Sequence, residues 1–262
     1  MIMDIKKFMA ADGEKPLDNI PQDGGFCSIF RTIGCIGDSL ASGEFETLNS
    51  ENIPGWHDRY EYSWGQYMAR TLGSKVYNFS RGGMTAKEFE NSFGKTVGYD
   101  NKENMCQCYV MALGVNDIGD GSHLGDIKDR DDSSADTFVR YYSNIIVNIK
   151  RKNPYAKFFL MTIPRSDCDS KRAALEDKHA HLVKEICESF KNCYLLDFRK
   201  YAPVYDSEFK RNFFLRGHMN PAGYALTAKM VMAYIDYIIR NNPEDFHQVG
   251  FIGDQLYDEN YN

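Results

Sequence analysis

No stretch of this chain approaches the roughly 20 apolar residues that a membrane-spanning helix needs, and no block of Lys or Arg breaks its mixed charge pattern. Stable membrane insertion is therefore not expected. With a formal net charge of -6, nucleic acid and anionic membrane are excluded as main partners, leaving a small-molecule substrate. Residues 1–30 lack an apolar core followed by a small-residue cleavage site, so the chain reads as cytoplasmic, with a processed secreted form as the alternative. There is no internal repeat and no low-complexity linker. A Gly-x-Ser-x-Gly elbow is also missing, which disfavours an α/β-hydrolase. The seven cysteines are an odd count and fall largely in apolar runs, as buried thiols do. Cys106 and Cys108 would share a strand face, yet no second Cys or His pair at zinc-like spacing accompanies them. His179 and His181, two apart on a helix, do not share a face. The acidic run Asp126, Asp129, Asp131 and Asp132 lacks the glycine and terminal glutamate of an EF-hand and reads as a solvated rim loop. Neither a metal nor a cofactor is assigned, and nothing in the pattern speaks to oligomeric state.

What is present is a chain of 262 residues, enough for one large domain. Short apolar runs rich in β-branched or aromatic residues recur at 31–36, 75–79, 107–113, 157–163 and 193–198. Helical patterns lie between and after them, at 62–72, 85–93, 133–152, 170–190 and 221–240. Gly73 stops the first, and Asn220 with Pro221 opens the last. Such alternation predicts an α/β fold, a parallel sheet with helices on both faces and right-handed crossovers. Residues 1–25 are polar and hold Pro16, Pro21 and Gly24-Gly25, which suggests an arm lying on the domain or partly disordered, with the domain spanning 26–262.

Chemistry is expected where these strands end. Gly37-Asp38-Ser39-Leu40 closes the first run and sets a hydroxyl at the carboxyl edge of the sheet, where open α/β folds bind ligands. After the second run comes Asn78-Phe79-Ser80-Arg81-Gly82-Gly83-Met84-Thr85, a glycine turn whose N–H groups can face a ligand. The third is followed by Gly114-Val115-Asn116-Asp117, with a side-chain amide. Gly217-His218-Met219-Asn220-Pro221 puts an imidazole ahead of the last helix. Each segment alone is ordinary loop chemistry. Together they supply a nucleophile, a base and an oxyanion hole from separate loops.

In these four blocks the chain resembles the SGNH, or GDSL, hydrolases, from about Ile33 to Tyr224. The resemblance implies a three-layer α/β/α fold with a five-stranded parallel sheet in flavodoxin-like order. It also implies a serine esterase in which Ser39 is the nucleophile and His218 the general base. The oxyanion donors would be the Ser39 and Gly83 backbone N–H groups and the Asn116 amide, with Gly82 as the alternative glycine. An acyl-enzyme on Ser39 would be released by water, and acylated carbohydrates are one substrate class that fits. The alternatives are a catalytically weakened binding protein of the same fold, an acyltransferase or a thioesterase. A flavin-binding electron carrier is disfavoured, because the loop at Ser39 lacks the Ser/Thr and Gly run that cradles a phosphate.

One family feature is missing. Three residues before the catalytic histidine, where the resemblance calls for an orienting Asp, stands Leu215. Two substitutes are open: a backbone carbonyl such as that of Leu215, which is favoured, or a carboxylate reaching back from Asp206 or Glu208. The insertion 44–63 carries Glu44, Trp56, His57, Asp58, Tyr60 and Tyr62 and should lie beside the nucleophile. Its aromatics could form a sugar platform or an acyl pocket; the plainer expectation is that Trp56 plugs the loop and Trp64 packs in a helix.

Overall fold

The structure is a computed structural model and describes residues 4–119, 121 and 123–261. Its strands are β1 (Thr32–Gly37), β2 (Glu44–Leu48), β3 (Pro54–Asp58), β4 (Lys75–Ser80), β5 (Cys108–Ala112), β6 (Lys157–Met161), β7 (Cys193–Leu196), β8 (Phe214–Leu215) and β9 (His218–Met219). The α-helices are α1 (Ser39–Ser42), α2 (Trp64–Leu72), α3 (Ala86–Glu88), α4 (Gly94–Val97), α5 (Phe138–Lys150), α6 (Ser170–Glu188), α7 (Phe198–Tyr201), α8 (Ser207–Phe213) and α9 (Pro221–Asn241). A π-helical turn, Phe89–Phe93, joins α3 to α4.

Five strands form one parallel sheet in the order β4-β1-β5-β6-β7. The chain leaves β1 toward β4 and returns past it to β5, so the strand order reverses beside β1. That reversal opens a crevice at the carboxyl edge of the sheet. Register aligns the strand ends there: Gly37 pairs with Ser80 on one side and with Ala112 on the other.

Helices cover both faces, giving the three-layer α/β/α fold expected. On one face α2 packs on α9, burying Trp64, Met68, Tyr224, Ala228 and Ile235 against Ile33 and Cys35 of β1. On the other, the π-helical turn, α5 and α6 bury Phe89, Phe138, Tyr142, Ile145 and Ile186 against Ile36, Tyr109 and Phe158. Trp64 is buried in α2 as expected. Five of the seven cysteines are buried, and none is in a disulfide.

The amino-terminal segment packs on the last helix. Arg240 of α9 donates to Glu14 (2.5 and 3.0 Å) and, one turn back, to Asp236 (2.8 Å). The second Asp236 oxygen accepts the Phe26 N–H at 2.8 Å. A buried ion pair of this kind is costly to break, because removing one partner leaves a desolvated charge. No helix among the described residues is long and apolar enough to cross a membrane.

Two elements depart from the sequence expectation. Helix α5 begins at Phe138 rather than near Ser133, because Asp132 accepts from Ser134 and Thr137 caps the helix through the Arg140 N–H. The rim segment before it holds a short 3-10 helix, Ile127–Asp131, capped by Asp126; positions 120 and 122 lie outside the described residues. The insertion after Ser39 is an antiparallel hairpin, β2 paired with β3, and not an irregular loop.

Candidate active site

Ser39 is the first residue of α1, directly after β1. Asp38 caps this turn, accepting the Leu40 N–H at 3.0 Å, and Gly43 ends it with a left-handed backbone. The turn therefore projects from the sheet edge at the strand-order reversal. Ser39, Gly82, Gly83, Asn116 and His218 all line one open cleft of about 480 Å³, joined there by Glu44, Trp56, Asp58 and Arg81. The four expected blocks thus converge.

The loops carrying the donors are laced together. Asn116 Nδ2 donates to the Met84 carbonyl at 3.1 Å, and the Ala86 N–H donates to Asp117 Oδ1 at 2.8 Å. These bonds tie the turn after β4 to the turn after β5. Gly83 has φ +71° and open space where a side chain would stand, so its backbone can be presented to the cleft without strain. Gly114 has φ +138°, and His179 of α6 fills the place a Cβ would need. His179 is fully buried, lies 3.3 Å from the Leu113 carbonyl, and burial pushes its pKa down to about 4. It takes no part in the cleft but fixes the loop that presents Asn116.

Beneath Ser39, Asp38 is 1% exposed, and its second carboxylate oxygen has no hydrogen-bond partner among the described residues. It borders an apolar cavity of about 40 Å³ walled by Trp64, Met161, Phe198 and Tyr205. Burial raises its pKa from 3.8 to about 7, and Asp117 is raised to about 6 for the same reason. The native state thus binds the Asp38 proton more tightly than the unfolded chain does, so stability falls as pH rises from about 4 to about 7. Asp38→Asn keeps an acceptor for the Leu40 N–H and removes the titration. Urea unfolding midpoints at pH 5 and pH 8 are expected to lie closer together in this variant than in wild type; an unchanged gap counts against the assignment.

His218 is placed by β9 and the turn before it, with 16% of its side chain exposed. Its surroundings correct the expectation about what holds the ring. Among the described residues neither the Leu215 carbonyl nor Asp206 or Glu208 bonds to it: Asp206 caps α8 through the Phe209 N–H, and Leu215 is 44% exposed. Both neighbouring acids come instead from β2. Nε2 lies 3.1 Å from Glu44 Oε1, and Nδ1 lies 3.5 Å from Glu46 Oε2. Nε2 faces Glu44, and no hydrogen bond joins it to Ser39.

Local structure explains why β2 turns these acids inward. Residues alternate along a strand, so Glu44 and Glu46 share one face while Phe45 takes the other. Phe45 packs edge-on against Tyr62 and Tyr224, each at 5.7 Å, and the Tyr224 hydroxyl donates to the Glu44 carbonyl at 2.5 Å. Across the hairpin, Ser42 Oγ donates to Asp58 at 2.5 Å. Burial raises the Glu44 pKa, with His218 opposing that shift. Glu46 is lowered, first by its hydrogen bond from Arg216. Period-2 alternation in Glu44-Phe45-Glu46 was the available signal for this pair, although nothing in the sequence set it beside His218. Trp56 of β3 is 58% exposed on the cleft wall, so it does not plug the loop.

A parallel sheet of this order, with a serine turn, two donor loops and an imidazole at its carboxyl edge, defines an SGNH-type hydrolase fold. The family model for the GDSL-like lipase/acylhydrolase family matches residues 35–226, and the chain belongs to that family. No curated protein matched the chain. Among solved structures it is similar to a possible lipase from Chitinophaga pinensis DSM 2588, at 16% identity and TM-score 0.56, over 84% of this chain and 98% of that one. It is also similar to a carbohydrate esterase family 2 enzyme with a carbohydrate-binding domain from Corynascus thermopiles (Myceliophthora fergusii), at 17% identity and TM-score 0.55, over 79% of this chain and 66% of that one. A family two carbohydrate esterase from Clostridium thermocellum, in complex with cellohexaose, matches at 18% identity and TM-score 0.53, over 80% of this chain and 64% of that one. The chain spans about two thirds of the length of these two esterases, and at such identities they share its fold.

Proposed function

We propose that the protein hydrolyses carboxylic esters through an acyl-enzyme on Ser39, with His218 as base and the Ser39 and Gly83 N–H groups and the Asn116 amide as oxyanion donors. The observation that carries this reading is the convergence of all four groups on one cleft at the strand-order reversal. Ser39 Oγ attacks the ester carbonyl while Nε2 takes its proton and later returns it to the leaving alcohol; water then releases the acyl group. Donors fixed by the sheet edge need no reorganisation as the oxyanion forms. During the cycle Nε2 exchanges Glu44 for the Ser39 hydroxyl, a change of partner within one cleft. Such tightening on substrate binding is ordinary for catalytic hydrogen bonds.

The cleft also favours a substrate class. Trp56 offers an exposed aromatic face, and Glu44 and Asp58 beside it are acceptors for hydroxyl groups. An acylated carbohydrate suits such a wall, with the acyl carbonyl at Ser39 and the sugar ring on Trp56. The hold of Glu44 on Nε2 favours a second reading, binding without turnover. Exposure to a fluorophosphonate, followed by mass mapping, separates the two. Labelling at Ser39 together with hydrolysis across a panel of short p-nitrophenyl esters and acetylated sugars is expected. An unlabelled Ser39 with no hydrolysis overturns the esterase reading in favour of binding.

A further inference from the structure

We propose that Glu46, from the β2–β3 hairpin, is the positioning residue of His218, holding the ring from its Nδ1 side while Nε2 works toward Ser39. The inference rests on the roles given to Ser39 and His218 above. It starts from a gap: Nδ1 of His218 is buried and has no hydrogen-bond partner among the described residues, and Glu46 Oε2, at 3.5 Å, faces it. The turn that carries the ring bears no carboxylate of its own, since Phe214, Leu215, Arg216 and Gly217 precede it.

Glu46 is fixed in place from the same turn. Arg216 Nε donates to its Oε1 at 3.0 Å, and the Gly217 N–H donates to its Oε2 at 2.9 Å. Oε2 therefore sees backbone and ring together. Gly217 has no room for a Cβ, because that position lies 2.6 Å from Oε2, so only glycine lets the carboxylate come this close. Arg216 has φ +63°, as the first residue of the two-residue turn between β8 and β9, and this turn brings its side chain and the Gly217 N–H to the same carboxylate. The hydrogen bonds from Arg216 and Gly217 also favour the ionised carboxylate, and the Glu46 pKa is lowered accordingly. An ionised acid at Nδ1 keeps the proton on that nitrogen, leaves Nε2 free to accept, and stabilises the imidazolium formed when Ser39 is deprotonated. The proton stays on the ring. Glu46 touches neither substrate nor reacting atoms.

The charged groups facing the ring are Glu44 and Glu46 from β2, Asp58 from β3, Arg216 from its own turn and Arg81 across the cleft. Glu46→Gln keeps shape and an acceptor oxygen but removes the charge; Glu46→Asp keeps the charge. On an ester that Ser39 hydrolyses, Glu46→Gln is expected to lower kcat about 10- to 100-fold with KM nearly unchanged, less than the ~10⁴ of a tightly bonded Asp–His pair because this contact is longer. Loss of the negative charge also moves the acidic limb of the pH–rate curve to lower pH, and Glu46→Asp restores most of kcat and the limb. The same variants are read without turnover by ¹⁵N NMR of the His218 ring, where Glu46→Gln shifts the Nδ1 resonance and Glu46→Asp retains it. A uniform activity loss with an unmoved limb makes Glu46 an anchor of the turn only and overturns the proposal. An unchanged Nδ1 resonance in Glu46→Gln overturns it whether or not any ester is turned over. If the resonance shifts yet wild type shows no Ser39-dependent hydrolysis, the esterase reading fails while the hold of Glu46 on the ring stands.

Discussion

Ser39→Ala is expected to lower kcat on a small ester by about 10⁶, and His218→Ala by a similar factor, since nucleophile and base act as a unit. The double variant should be scarcely worse than either single one, because once the hydroxyl is gone the imidazole has no proton to take. The pairing is tested at a place where the structure makes it least obvious. Nε2 lies 3.1 Å from Glu44 Oε1. If Nε2 never leaves that carboxylate, His218→Ala would cost far less than Ser39→Ala, and single-turnover kinetics on the two variants would show it. Both side chains are on the cleft wall rather than in the core, and His218 keeps 16% of its side chain exposed, so neither truncation opens a packed cavity. Thermal midpoints near wild type are expected for both, which ties any loss of rate to chemistry. An unequal pair would move His218 out of the base role and leave Ser39 seeking another.

How much of this was legible in the sequence differs from element to element. The three central sheet strands announced themselves because a strand buried on both faces is a continuous apolar run, as in Gly34-Cys35-Ile36 or Phe158-Phe159-Leu160, and the edge strands β4 and β7 through their β-branched and aromatic residues. Ser39 stood out for the same reason, as a polar break at the end of such a run. The β2–β3 hairpin did not. Its second strand, Pro54–Asp58, reads Pro-Gly-Trp-His-Asp, is mostly exposed, and holds Pro, Gly and Asp, which are depleted in strands. Its register is set from outside by Phe45 on Tyr62 and Tyr224. The acids at His218 were hidden by distance along the chain: Glu46 lies 171 positions before Gly217, which it bonds. No periodicity links them: the sequence points to the Leu215 carbonyl, or to Asp206 or Glu208 upstream, whereas the fold supplies a carboxylate from a neighbouring hairpin. For His179 the sequence shows only that it does not share a helix face with His181, whereas tertiary packing buries it under Gly114.

Asn116→Ala is expected to reduce kcat by about 10²–10³, or roughly 2.7–4 kcal/mol, with KM changed little, as befits a donor whose bond strengthens only as the carbonyl oxygen becomes an oxyanion. A competing account is available in the structure. The same Nδ2 already donates to the Met84 carbonyl at 3.1 Å, so the side chain also ties the loop after β5 to the loop that carries Gly83. An amide nitrogen has two hydrogens, and one bond to Met84 leaves the other for the substrate. The two roles separate by measurement. If Asn116 served only as a tie, alanine would loosen both loops, lower the thermal midpoint, and raise KM along with any fall in kcat. As an oxyanion donor, its loss falls on kcat for esters and equally on the rate of Ser39 fluorophosphonate labelling, because the phosphonyl oxygen develops charge in the same place. The loops stay laced meanwhile by the Ala86 N–H on Asp117, which alanine at 116 does not touch. A normal labelling rate in a variant with slow ester turnover would remove Asn116 from the oxyanion hole and leave the charge to the Ser39 and Gly83 N–H groups alone.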